Sequence, residues 1–159
     1  MTLVEYGDFQ CPYCRAAYPV VQEVLLKRPE LVQFAYRHFP ITNVHPYAEL
    51  AAELAESAAA RNQFWRMHDW LFEHQDQIEP VHIGVGVADV MLPIDEVDRE
   101  LEEHRWSNRV YRDFVSGVRS GVNGTPTFYI NGRRHDLSYE LPVLLSAIDL
   151  AAEAANGTR

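Results

Sequence analysis

Two cysteines, Cys11 and Cys14, sit between a strand signal and a helix signal, and this C-x-x-C junction constrains the chain more than any other feature. Upstream, Thr2 to Tyr6 carries the strand formers Leu3, Val4 and Tyr6, and Gly7-Asp8 breaks the run. Downstream, Pro12 takes the first helical position, where its missing N–H is no loss. The pattern to Arg28 is helical, with Ala16, Val20 and Val24 in one stripe and Ala17, Val21 and Leu25 beside it. Pro29 ends it. A disulfide closing so short a loop restricts the unfolded chain little, so a structural role is weak. Zinc needs two more ligands. None of the seven histidines forms an H-x₃₋₅-H pair with a second cysteine pair, and His68 and His74 do not share a helical face. A redox-active dithiol is the better reading, with no metal and no cofactor.

The rest of the chain supplies the frame. Val32 to Phe39 (VQFAYRHF) alternates as a strand, so the first forty or so residues read β–α–β, with the two strands parallel. Pro46 to Ala60 is rich in strong helix formers. Asn62 can cap a helix over 63–75, whose Phe64, Trp65, Met67, Leu71 and Phe72 read as core, with His68 a satisfied core histidine beside Trp65. Glu79 to Leu92 reads as a looser stretch containing Gly84 and Gly86. Ile94, Val97 and Leu101 mark another helix, and Trp106, Val110, Phe114 and Val118 one more, to about Arg119. Thr127 to Ile130 is a strand, Asn131-Gly132 a hairpin signal, and Arg133 to Asp136 the returning strand. Ser138 can cap a last helix whose Leu141, Leu144, Leu145, Ile148 and Ala152 face the sheet. The sum is an α/β chain and one domain over 1–159: βαβ in 1–40, a helical block in 45–120 and ββα in 124–155.

Composition narrows the partners. With 159 residues, 47% of them apolar, the chain can bury an ordinary core. A net charge of −9 argues against nucleic acid and anionic membranes. No apolar run approaches the ~18 residues a bilayer span needs, so no membrane insertion is expected. Met1 to Glu5 shows neither a basic nor an apolar leader region, so the sequence reads as cytoplasmic, or as a trimmed periplasmic or secreted domain.

A C-x-x-C that opens a helix within a βαβ unit is the thioredoxin-like redox arrangement. Gly124-Thr125-Pro126-Thr127-Phe128-Tyr129-Ile130-Asn131-Gly132 looks like the cis-proline strand and hairpin of the same fold. With helices between the two halves, the chain resembles the DsbA-like thioredoxin family of thiol-disulfide oxidoreductases. The resemblance also rests on Val4 to Cys14, Arg37-His38-Phe39-Pro40 and Ser116 to Pro126, so it covers essentially the whole chain. Two departures stand out. The chain starts inside the central strand, which leaves the edge strand's place uncovered or filled by a partner, and Leu137 stands where relatives often carry Gly.

The residues assign roles. Cys11, at a helix N-terminus, should form its thiolate at or below neutral pH and be the exposed nucleophile. Cys14, one turn in, is the buried resolving thiol. Pro12 removes one N–H that could hold the thiolate and Tyr13 supplies no charge, which places the potential between the roughly −120 mV of DsbA and the about −200 to −230 mV of glutaredoxins. The resemblance implies that Pro126 is cis, that Thr125 and Gly124 meet the substrate, with the Thr125 carbonyl and N–H free for it, and that Glu5 is a buried acid accepting the Cys14 proton. Arg37 and His38 read as structural residues at a strand end. The partners are protein thiols or disulfides and a redox partner, with an oligomer through the uncovered sheet edge. The alternatives are a non-catalytic peptide-binding or chaperone-like module, and a relative of the kappa glutathione transferases or chromene isomerases, which lack C-x-x-C.

Overall fold

The computed structural model describes residues 1–156, so the last three positions of the expected domain lie outside the described residues. The elements run β1 (Thr2–Gly7), α1 (Pro12–Lys27), β2 (Gln33–His38), α2 (Ala48–Ala59), α3 (Phe64–Glu73), a 3₁₀ turn (Gln75–Gln77), α4 (Ile83–Asp89), α5 (Ile94–Glu102), α6 (Ser107–Arg119), β3 (Thr127–Ile130), β4 (Arg133–His135) and α7 (Leu141–Asn156). The sheet order is β2-β1-β3-β4, with β1 and β2 parallel and the other neighbours antiparallel. This is the thioredoxin fold with a helical block between its halves.

Alternation along the strands decides which face each helix covers. Leu3, Phe128 and Ile130 pack with Ala17, Val21 and Val24 of α1 and Leu144 and Ile148 of α7. On the opposite face Tyr6 and Tyr129 pack with Phe39 and Val122, and Phe114 of α6 closes over them. The largest apolar cluster joins Phe9, Cys11 and Cys14 to buried residues of α2 through α5, so the helical block and the cysteine loop share one core. At the hairpin, Asn131 and Gly132 both have positive φ, the conformation a tight turn between twisted strands requires. The Asn131 side chain also accepts the Thr2 N–H at 2.9 Å, tying the hairpin to the start of β1.

Three local readings need correction. Asn62 does not cap α3: its φ of 58° makes it the left-handed residue after α2, with the Gln63 N–H reaching back to the Ala58 carbonyl. The looser stretch over 79–92 contains α4, because Ile83 and Val87 are one turn apart and both buried, and the Trp70 ring N–H holds Asp89 at 2.9 Å. Ser138 acts earlier than the last helix, accepting the Glu140 N–H at 3.1 Å. The outer edge of β2 is also not wholly uncovered. The Gln33 and Phe39 amides face Met1 and Gly7 on the β1 side, so the His38 amide faces outward, where Asp113 of α6 accepts it at 3.2 Å.

Candidate active site

The end of β1 and the start of α1 meet at a turn made by Asp8. Its Oδ1 accepts the Gln10 N–H at 2.8 Å, and its carbonyl accepts the Cys11 N–H at 3.0 Å. Cys11 thereby becomes the N-cap of α1, with extended backbone (φ −70°, ψ 122°) and no side-chain cap, so the first helical amides stay open to its sulfur. Those amides and the neighbouring thiol set its acidity. The Cys14 S–H, against the opposing effect of burial, and then the Thr125 side chain and the backbone N–H groups of Cys14 and Tyr13 bring the Cys11 thiol down to about 5. At neutral pH the thiolate then outnumbers the thiol by roughly a hundredfold. Cys14 moves the other way. Burial first, then its bond to the Cys11 sulfur and the charge of Glu5, hold its pKa well above the ordinary thiol value.

The nucleophile is less open than a bare helix end implies. Cys11 is only 4% exposed and Cys14 0%. The Thr125 carbonyl, expected to be free for substrate, lies 3.4 Å from the Cys11 sulfur, where it accepts the S–H only while Cys11 is protonated. The Thr125–Pro126 bond is cis. Gly124 has open space around its α-carbon, and its carbonyl accepts the Thr127 hydroxyl at 2.7 Å. Tyr13 is 66% exposed, and Pro12 is exposed beside it.

Glu5 lies beneath the sulfurs, 2% exposed, with Tyr36 opposite it on β2 and Phe128 opposite it on β3. Its Oε1 has no hydrogen-bond partner among the described residues. Burial, helped by the Cys11 thiolate, raises its pKa to about 8, so it holds its proton at neutral pH while that thiolate is present.

Several residues that the sequence reading left aside hold this loop. The Gln75 amide donates to the carbonyls of both Phe9 and Cys11, at 2.8 and 2.9 Å. Gln10 accepts the Tyr47 N–H at 2.6 Å. The Asp8 carboxylate also accepts the Ile41 N–H at 2.9 Å and holds His45 Nδ1 at 2.8 Å, while the Asp8 N–H points at the Cys14 sulfur at 3.5 Å. A Gly-Asp pair before a cysteine carries a local turn signal that could have found Asp8. Gln75 has no such signal, because its partners are 64 and 66 residues away.

The remaining candidates fall outside the thiol site. His68 is only half satisfied: its Nδ1 meets Asp69 at 2.9 Å, but Nε2 has no partner among the described residues, and burial lowers its pKa. His38 Nε2 bonds Glu56 at 2.8 Å, and Arg37 and Arg109 grip Asp113 at 2.8 and 2.7 Å. His38, Glu56 and Asp113 could offer three ligand atoms within 4.8 Å of one another. Two guanidinium groups already supply the positive charge there, so this is an ion-pair network that fixes the end of β2.

Known proteins share this fold. A family model described as thioredoxin matches residues 1–149. Among solved structures, a thioredoxin-like oxidoreductase from Silicibacter pomeroyi is 26% identical with a TM-score of 0.84, covering 96% of this chain and 86% of its own. BdbD from Bacillus subtilis (21%, TM-score 0.80, 93% and 85%) and alpha-DsbA1 from Wolbachia pipientis (18%, TM-score 0.83, 99% and 89%) share the fold. The Na(+)/H(+) antiporter NhaA 3 of Salinispora tropica is 42% identical over 98% of this chain but only 24% of that protein. The chain thus spans about a quarter of the length of the curated relatives it matches.

Proposed function

We propose a function from one premise: the chain belongs to the thioredoxin family, whose model it matches over residues 1–149, and it acts as a thiol-disulfide oxidoreductase on protein substrates. The observation that carries this reading is the asymmetry of the dithiol, one sulfur ionised near pH 5 at a helix N-cap and its neighbour buried and protonated. The Cys11 thiolate attacks one sulfur of a substrate disulfide, and the other sulfur leaves as a thiolate. Cys14, losing its proton toward Glu5, then attacks Cys11. The Cys11–Cys14 disulfide forms and the second substrate sulfur is released. Run in reverse, the same steps donate the disulfide to a substrate, and a redox partner must restore it.

A low Cys11 pKa stabilises the reduced protein, which favours donation. The reduction potential is expected between about −120 and −230 mV, and equilibration with glutathione measures it. Pro12 and Tyr13 shape the site by omitting an N–H and a charge. Thr125 and Gly124 line the place where a substrate strand must displace the Cys11–Thr125 contact. The antiporter name belongs to much longer proteins. Among the described residues no helix is long and apolar enough to cross a membrane, so the matched stretch supplies no helical span for ion passage.

The test is insulin reduction by dithiothreitol. Cys11→Ser should lose all catalysis, and Cys14→Ser should accumulate a mixed disulfide on Cys11. A Cys11→Ser protein that still reduces insulin at the wild-type rate overturns the reading, and a peptide-binding module would give that result.

A further inference from the structure

The peptide unit between Gly7 and Asp8 lies where β1 ends and the cysteine loop begins, and both of its polar groups are occupied. On the β2 side the Gly7 carbonyl accepts the Phe39 N–H at 2.8 Å. A trans peptide sends its N–H the opposite way, and this one donates to the Cys14 sulfur at 3.5 Å. The β1–β3 ladder ends one step earlier, with Tyr6 opposite Thr127 where β3 begins, so no strand lies beside the Asp8 amide. Asp8 is buried, and a buried amide needs a partner; here that partner is sulfur. The side chain keeps the amide aimed. Its carboxylate, fully buried, accepts the Gln10 N–H at 2.8 Å and the Ile41 N–H at 2.9 Å, and holds His45 Nδ1 at 2.8 Å. These anchors come from the loop itself and from the segment after β2, so the Asp8 backbone is fixed from two sides. A buried carboxylate beside sulfurs that must carry negative charge works against them, a cost that serine or asparagine in the same turn would avoid.

We propose that the Asp8 N–H is the donor that stabilises the Cys14 thiolate in the resolving step, and that the Asp8 side chain is the positioning group that aims it. The proposal rests on the thiol-exchange reading above and adds a residue to it. A thiol sulfur is a weak acceptor and a thiolate a strong one, so the bond tightens as the Cys14 proton leaves toward Glu5 and does little before. A fixed donor that strengthens only as charge develops speeds the step instead of merely holding the ground state. The Cys14 sulfur then attacks the Cys11 sulfur, the Cys11–Cys14 bond forms, and the electron pair of the Cys11–substrate bond leaves on the substrate sulfur. In the reverse direction a substrate thiolate attacks Cys11, Cys14 is the leaving group, and the same N–H receives its charge. Burial, the bond to the Cys11 sulfur and the charges of Glu5 and Cys11 all raise the Cys14 pKa, and the Asp8 amide pulls the other way. The other ionisable groups around Cys14 are Tyr36 of β2 and Tyr139 ahead of α7.

The experiment loads Cys11 with 2-nitro-5-thiobenzoate as a mixed disulfide and follows release of the coloured thiolate at pH 7. Asp8→Ala removes all three anchors and should slow release about tenfold or more, the loss expected for one hydrogen bond to a charged atom. The sign is diagnostic, because loss of a negative charge alone would favour the Cys14 thiolate and speed release. In a Cys14→Ser background, where dithiothreitol must free the dye, Asp8→Ala should change the rate by less than about twofold, because the thiolate its amide serves is gone. Unchanged or faster release in Asp8→Ala, or an equal slowing in the Cys14→Ser background, overturns the proposal. If Asp8→Ala does not fold, His45→Ala decides, since it removes one anchor from a partly exposed position. It should slow release about threefold or more, and His45→Asn, whose side-chain amide again donates to Asp8, should restore the rate. A wild-type rate in His45→Ala, or no recovery in His45→Asn, overturns the assignment. A wild-type protein that releases nothing would instead count against the exchange reading itself and take this one with it.

Discussion

Glu5 and Glu100 are both buried carboxylates, and they differ in almost everything else. Glu5 lies under the thiols with an oxygen that has no partner among the described residues and a pKa near 8. Glu100, on α5 in the helical block, accepts hydrogen bonds from the Ser57 hydroxyl (2.7 Å), both terminal nitrogens of Arg61 (2.9 and 3.2 Å), the Trp106 ring (2.9 Å) and Arg105 (3.4 Å). Led by Arg61, these donors hold it near 2. Burial alone therefore does not decide whether a carboxyl is charged; the supply of donors does. Around Glu100 the helical block spends its polar groups on holding itself together, although Glu53 Oε2 and His68 Nε2 elsewhere in it lack partners, whereas the sheet beneath the cysteines leaves Glu5 Oε1 and the Tyr36 hydroxyl without a partner among the described residues. That second condition suits proton traffic and works against stability.

The comparison breaks most visibly on a pH axis. A Glu5 pKa raised from 4.5 to about 8 means its stabilising contribution is complete below 4.5 and is lost as pH climbs toward 8. Cys11, lowered from 9 to about 5, contributes in the opposite sense, fully above 9 and not at all below 5. In the reduced protein the two slopes oppose each other between pH 5 and 8. Cys11→Ser removes the compensating slope together with the charge that helps raise Glu5, so urea unfolding should show stability falling as pH rises above 5, through the part of the Glu5 shift that burial causes. Adding Glu5→Gln should flatten the curve, and a fall that survives it would show that another group is responsible. A smaller effect belongs to the helical block: Arg61→Ala should cost about 2 kcal/mol by leaving Glu100 short of donors, while iodoacetamide still labels Cys11 at the wild-type rate. A loss of thiol reactivity equal to the loss of stability would erase the distinction between the two regions. The smallest effect is Gln75→Leu, which strips a donor from two loop carbonyls. It should cost about 1 kcal/mol and change Cys11 labelling only a few-fold, with Cys14 still unlabelled at pH 7.

What could be read before folding was local. The C-x-x-C at a strand–helix junction, the Thr125-Pro126 step before a strand and the Asn131-Gly132 turn depend on neighbours in sequence, and each stands where its spacing implies. The acid at position 5 was legible only through the family pattern, since alternation alone does not say which face of β1 is covered. Three things were hidden: the contact between Thr125 and the Cys11 sulfur, the Gln75 clamp and the Glu5–Tyr36 pair. Each joins residues at least thirty positions apart, and no local rule brings such residues together. Asn62 misled because the same side chain suits a helix start and a left-handed helix stop.

The cysteine loop is fastened to the helical block through Gln75, through Tyr47 on Gln10 and through His45 on Asp8. For protein engineering this sets a limit on trimming. Splicing β2 directly to β3 to make a minimal redox unit would delete all three fasteners at once and leave Phe9 and Cys14 without their cover. New recognition segments are better grafted at Val81 or Met91, which are highly exposed and take no part in the clamp.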